Sequence, residues 1–435
     1  MPKIVMIGAG SAIFTRVLLG DIFSFAELAD ADIALHDIDS ERLDTAEAVA
    51  RWTADTAGAS PTITSHLDRR AALDGADYVI NLIQVGGYDA SVIDFEVPMR
   101  HGVRQTLTDT LGIGGIFRSL RTIPVLQGIA ADMHELCPDA WLLNYTNPMA
   151  MLCWAVYSGT PVQRVVGLCH SLQNTTAQLA GYVGVPLEEV TFWGAGVNHQ
   201  AWILRFERDG EDLYPRLDEV IERDENMRRK VRVDIYRRFG YFPTESSEHS
   251  SEYVPWYLKS EEAIERFRLP LGEWLNMSHQ NMDEYEEIKR LMASGAPAPI
   301  ESSVEYAPQI IHSMETGTPR VIYGTVENAG LIENLPRGAG VEVPCTVDAS
   351  GVHGMHVGHL PPQCAALNRS FLNVCELTVS AALEGRRDRV VQAALLDPNT
   401  GATLTPDQIE ALVDDLIDAH GAALPEGIRS GAVTR

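Results

Sequence analysis

The stretch Ile4–Phe14, IVMIGAGSAIF, decides how the first half of the chain folds. Its first four residues are all apolar and leave no polar face, which suits a strand buried on both sides. They run straight into Gly8 and Gly10. Lacking side chains, these permit a tight turn and let backbone amides at a helix start approach a pyrophosphate. The third glycine of G-x-G-x-x-G is absent, with Ile13 in its place, so the pattern alone is weak. The next strand-like run, ADIALHDID, strengthens it by ending in Asp37. A carboxylate there accepts both ribose hydroxyls of NAD and repels the 2′-phosphate of NADP. The expected dinucleotide contacts are Gly8, Gly10, Ser11 and Asp37.

Outward from this turn, apolar runs alternate with helix-length segments. Candidate strands are Lys3–Ile7, Asp32–His36, Tyr78–Ile83, Ala140–Asn144 and Arg164–Leu168, with helices such as Asp39–Ala57 and Gly115–Leu136 between them. Such alternation predicts a Rossmann-like, doubly wound parallel sheet of α/β class. Beyond Trp202 charged helical segments dominate (Leu217–Arg238, Ser260–Phe267, Met282–Met292). Strands follow near Arg320–Val326 and Gly340–Val347, then a helical tail over Pro361–His420. The expectation is a dinucleotide-binding domain over 1–190 and a mixed α+β domain over 191–435. The second would complete the site and supply a subunit interface.

Composition narrows the partners. With 60 acidic against 34 basic residues the net charge is −26, which disfavours nucleic acid and anionic membranes. No apolar run approaches the roughly 18 residues of a membrane span. The opening run ends in a glycine turn rather than a cleavage site, so it reads as a strand and not an export signal. Six dispersed cysteines without a CxxC pair then suggest reduced thiols in a cytoplasm.

Ligands of an open parallel sheet sit beyond the carboxyl ends of its strands. Those ends collect polar residues: QVGG (84–87), Asp109 in TLTDTLGIGG, Asn147 in NYTNP, and Cys169–His170 in VVGLCHS. Asn198 and His199 follow in GVNHQAW, read as a glycine-rich bend. A thiolate and an imidazole together suit a divalent ion with coordination positions left for substrate oxygens. Bland readings compete: Asn before Pro is a turn former, Asp109 could cap a helix, and a lone histidine is more often structural.

At this point longer motifs become recognisable. GAGSAIF, QTLTDTLGIGGIFRSLRTIP, LNYTNPMAM, GLCHS, GVNHQAW and YFPTESSEHSSEY resemble glycoside hydrolase family 4, nearest its α-galactosidase (melibiase) branch. The likeness continues through VIYGTVENAGLIENLP, VEVPCTVDASG and ALVDDLIDAHG, nearly the whole chain. The resemblance implies a glycosidase outside the usual two-carboxylate scheme. The sugar is oxidised transiently at C3 with NAD⁺, loses its C2 proton, expels the leaving group by elimination, and is then rehydrated and reduced. Carried over by position, Cys169 and His199 would bind Mn²⁺ or another divalent metal. His170 would protonate the leaving oxygen, and Asp109, Asn147 and Asn198 would contact substrate, with Asn147 also near the cofactor. For the base the resemblance leaves Tyr253, Glu245 and His249 open. A histidine after the cysteine implies an unphosphorylated sugar, here a melibiose-like α-galactoside. The family also implies a homodimer or homotetramer.

Rival readings keep the mechanism with another sugar (an α-glucoside, α-glucuronide or α-galacturonide), Arg118 or Arg121 pairing with a uronate. A hydroxy-acid dehydrogenase and a non-enzymatic NAD sensor share the nucleotide end. His353, His356 and His359 in VHGMHVGHL mimic a metal motif, but in a glycine-rich segment to which the resemblance gives no role.

Overall fold

The apolar runs pair side by side. In the computed structural model, which describes residues 1–431, six strands are parallel: β1 (Lys3–Ile7), β2 (Asp32–His36), β3 (Thr62–His66), β4 (Tyr78–Asn81), β5 (Trp141–Asn144) and β6 (Val165–Gly167). Their spatial order is β3-β2-β1-β4-β5-β6. The order reverses between β1 and β4, where a doubly wound sheet opens a crevice for a dinucleotide. Ile4 to Met6 have no exposed surface, as a strand covered on both faces requires. The edge strand β3, TITSH, is half exposed and carries no apolar run, so nothing in the sequence marked it.

The antiparallel strands β7 (Thr191–Val197), β8 (Gln200–Arg208), β9 (Glu211–Asp212), β10 (Phe242–Pro243), β11 (Arg320–Glu327), β12 (Gly340–Asp348) and β13 (Gly351–Gly354) extend this sheet. β11 joins β6 through Thr325 opposite Gly167, and β12 joins β7 through Glu342 opposite Gly196. One thirteen-stranded sheet therefore runs through both halves. The segment read as a glycine-rich bend is a hairpin: Val197 pairs with Gln200, leaving Asn198 and His199 as its two-residue turn.

Helices differ from expectation where caps intervene. The segment Leu217–Arg238 is three helices, Tyr214–Arg223, Glu225–Arg228 and Val231–Phe239. Asp224 breaks it by accepting from the amides of Asn226 and Met227, a helix-start signal inside the run. The tail is four helices, Pro362–Glu384, Arg387–Leu396, Pro398–Thr403 and Pro406–His420. The last one anchors in the core: His420 Nε2 lies 2.9 Å from Asp94 Oδ1, and Asp94 also takes both terminal nitrogens of Arg121 at 2.9 and 2.6 Å. All three are buried. Among the described residues no helix is long and apolar enough to cross a membrane.

Candidate active site

The glycine turn takes the shape the sequence implied. Gly8 and Ala9 donate to the His36 carbonyl at 2.9 and 3.0 Å, folding the turn against β2. Gly8 has φ +85°, and a Cβ there would come within 2.9 Å of the Leu82 carbonyl carbon. Gly10 donates to Asp37 Oδ2 at 2.8 Å. A Cβ at Gly10 would lie 2.5 Å from that oxygen. Ser11 is exposed at the start of the helix Ala12–Ser24, whose N-terminus faces the crevice without any side-chain cap. Open amides beside a carboxylate at a strand end fit a dinucleotide.

Next to this crevice, chain segments far apart in sequence converge. Cys169 follows β6, and its Sγ lies 3.3 Å from Nε2 of His199. His199 sits at φ 64°, a left-handed conformation that a non-glycine residue holds only at a cost of about 1 kcal/mol or more. Its Nδ1 bonds Thr110 Oγ1 at 2.8 Å. With Nδ1 as donor, Nε2 is left with its lone pair toward the cysteine, the state a metal needs. Glu245, also left-handed at φ 70°, completes a set in which one donor atom each from Cys169, His199 and Glu245 lies within 4.8 Å of the others. Asp109, His199 and His249 form a second such set, sharing His199. Thiol, imidazole and carboxylate together suit a divalent transition ion.

Asp109 is the hub of the polar network. Its Oδ1 accepts from His249 Nε2 and its Oδ2 from Asn147 Nδ2, both at 3.0 Å. Burial works to raise its pKa, but His249 first, then His199 and Arg118, hold it well below the usual carboxylate range. His170 pairs with Glu305 Oε1 at 3.0 Å. That bond, opposed by burial and helped by Cys169, lifts the imidazole to about 9, so it carries its proton at neutral pH. The half-buried thiol of Cys169 is pushed up to about 12 by desolvation and by the Glu245 charge. Around these groups Asn147 Oδ1, Ser171 Oγ, Asn198 Oδ1 and Glu342 Oε2 are buried without a protein partner. Such orphans call for a ligand. A cavity of about 460 Å³ opens beside Glu245, with Ser171, Asn174 and Arg232 in its wall.

Not every candidate joins the cluster. Tyr253 is buried, its hydroxyl donates to the Asn198 carbonyl at 3.1 Å, and its ring packs edge-on against Phe371. It braces the hairpin turn from behind. Arg121 is consumed by Asp94 and by the Val85 carbonyl, while Arg118 bonds the Asn147 carbonyl and covers Trp274. His356 and His359 each take one oxygen of Glu333 at 3.0 Å, and His353 bonds Ser350. Neither metal-type cluster includes them. Conversely, Glu252, Glu305 and Glu342 gather around the site unforeseen. Only Glu342 carried a signal, as a lone acid inside the buried run VEVPCTV.

The family 4 glycosyl hydrolase model matches residues 3–185, and the family 4 glycosyl hydrolase C-terminal domain model matches residues 194–400. An α-galactosidase from Bacillus subtilis is 44% identical over 98% of this chain and 100% of its own length. One from Rhizobium meliloti is 35% identical over 98% of this chain and 89% of its own. Among solved structures, a 6-phospho-α-glucosidase from gut microorganisms in complex with NAD and Mn²⁺ has the same fold. Its TM-score is 0.83 at 20% identity, covering 98% of this chain and 99% of that one. Two matched models spanning both halves, with relatives this similar over nearly their full lengths, leave one conclusion: the chain belongs to the family 4 glycosyl hydrolases.

Proposed function

We propose that this chain hydrolyses unphosphorylated, melibiose-like α-galactosides and needs NAD⁺ and a divalent cation, Mn²⁺ or similar, to do so. The convergence of Cys169, His199 and Glu245 beside a glycine-turn crevice carries the reading. The 44% identical α-galactosidase supports the choice of sugar. Bound NAD would supply a reversible hydride acceptor, and the cation a Lewis acid for sugar hydroxyl oxygens.

The protein's own residues do the rest. Behind the turn built by Gly8, Gly10 and Ser11, the uncapped amides that open the helix Ala12–Ser24 would receive the pyrophosphate, and Asp37 would take the ribose. Cys169 and His199 hold the cation. Asp109, Asn147 and Asn198 orient the sugar through its hydroxyls. Glu245 removes the C2 proton, since its carboxylate stands in the cluster and the Tyr253 hydroxyl does not. His170, kept protonated by Glu305, gives a proton to the leaving glycosidic oxygen. Residues 1–190 act as the dinucleotide-binding domain and 191–435 complete the site. We assign the enzyme to the cytoplasm because its thiol ligand must stay reduced, and, on the family resemblance alone, read it as a homodimer or homotetramer.

A panel of nitrophenyl glycosides, with and without NAD⁺, Mn²⁺ and thiol reductant, tests the reading. The α-galactoside should turn over fastest and only with all three present. A primary isotope effect should appear with substrate deuterated at C2, and no NADH should accumulate at 340 nm. Faster turnover of an α-glucoside or a uronide would reassign the sugar. Net NADH production would make the protein a dehydrogenase.

A further inference from the structure

Glu252 stands at the end of the short helix Ser247–Glu252, buried and without a basic partner in hydrogen-bond reach. Its Oε1 instead accepts from three consecutive backbone amides, Thr106 at 2.7 Å, Leu107 at 3.0 Å and Thr108 at 3.3 Å, and Oε2 accepts from Thr108 at 3.3 Å. Successive amides wrapped around one anion form a concave nest. The chain can curl so only because Thr108 adopts φ 58°, unusual for a β-branched residue. The next two side chains are thereby turned into the cluster: Asp109 to His249 and Asn147, Thr110 to Nδ1 of His199. Gly114 and Gly115 let the loop lie close against the following helix, where added Cβ atoms would meet Thr108 and Thr110 at 2.8 and 2.9 Å.

We propose that Glu252 is a positioning residue, whose carboxylate shapes the Thr106–Thr110 loop and so delivers Asp109 and the Thr110 bond that orients His199. This rests on the reading of Asp109 and His199 as active-site residues. It reaches a residue that touches neither sugar nor cofactor. Removing the carboxylate orphans three buried amides and frees the loop to relax away from its left-handed turn. Losses of this supporting kind cost about 10–100-fold in activity or metal affinity.

The test compares Glu252→Gln, Glu252→Asp and Glu252→Ala with wild type. α-Galactosidase kcat and KM and the Mn²⁺ activation constant are measured at a temperature where circular dichroism shows each fully folded. Glu252→Gln, which keeps the volume but not the charge, should lose about 10–100-fold in kcat with KM changed far less. Glu252→Asp should recover part of the loss, and Glu252→Ala should be worst. A folded Glu252→Gln within threefold of wild-type kcat, or a Glu252→Asp no better than Glu252→Ala, overturns the role. Should Glu252→Gln fail to fold, the other two variants decide: a folded Glu252→Ala with full kcat, or a Glu252→Asp no better than Glu252→Ala, marks the residue as structural only. Wild type inactive on every glycoside would instead sink the functional reading itself.

Discussion

Inside the protein, the Tyr253 hydroxyl spends its hydrogen bond on the Asn198 carbonyl, while the Glu245 carboxylate faces a thiol and imidazoles. Both residues come from one short motif, and chemistry alone allows either to take a proton. Geometry separates them. Tyr253→Phe should therefore melt lower, by about 1 kcal/mol for the lost hydrogen bond, and keep kcat within about tenfold. Glu245→Gln should lose about 10²–10⁴-fold in kcat while folding normally. Thermal melts and initial rates on one substrate check both. A folded Tyr253→Phe that loses a thousandfold would return the base to the phenol. At this scale the sequence exposed Cys169, His170 and His199 because thiols and imidazoles are scarce and sit at strand ends. It hid Glu252 and Glu305, since 60 acidic residues look alike until folding buries a few.

Strands and helices were legible wherever burial stamps a pattern on the chain. β1, β2, β4 and β5 are apolar on both faces and announce themselves; β3 is not. The β7–β8 hairpin was missed because its two-residue turn, Asn198–His199, lacks the glycine such turns favour. The strain is retained to aim His199. Gly10 makes the opposite point, a place where only hydrogen fits. Gly10→Ala should push against Asp37 and weaken NAD binding by at least tenfold, about 1.4 kcal/mol, measured by fluorescence titration of the apo protein. Helix caps carry their own pH dependence. Asp397 caps Pro398–Thr403 by accepting from the Thr400 amide and hydroxyl, and burial raises its pKa to about 6. The folded protein thus keeps a proton that the unfolded chain releases near 4. Stability from this group falls as pH rises through that window and levels off above about 6. Asp397→Asn keeps an acceptor oxygen without the charge. It should be up to about 3 kcal/mol more stable than wild type at pH 7.5 and gain nothing at pH 4. Urea unfolding at both pH values decides; an equal difference at each would refute it.

Across the whole molecule, ionic cement and backbone pairing hold the two halves as one body. Asp94 neutralises Arg121 in the core and also receives His420 from the tail. Asp94→Ala strands a buried guanidinium and should cost about 3–5 kcal/mol in chemical unfolding. An Asp94→Ala protein that unfolds at the wild-type denaturant midpoint would show the cation has found other partners. The chain changes character after Trp202, but nothing local in it says that the later strands continue the earlier sheet. Strand pairing is long-range, and no local pattern encodes which neighbour a strand will choose. That continuity shapes how the chain is made. β6 is finished by residue 167, yet its outer neighbour β11 begins only at residue 320. While the intervening segment emerges from the ribosome, the nascent sheet carries a bare flank of unpaired amides and carbonyls. Such a flank invites strand exchange with other chains until its rightful neighbour is translated.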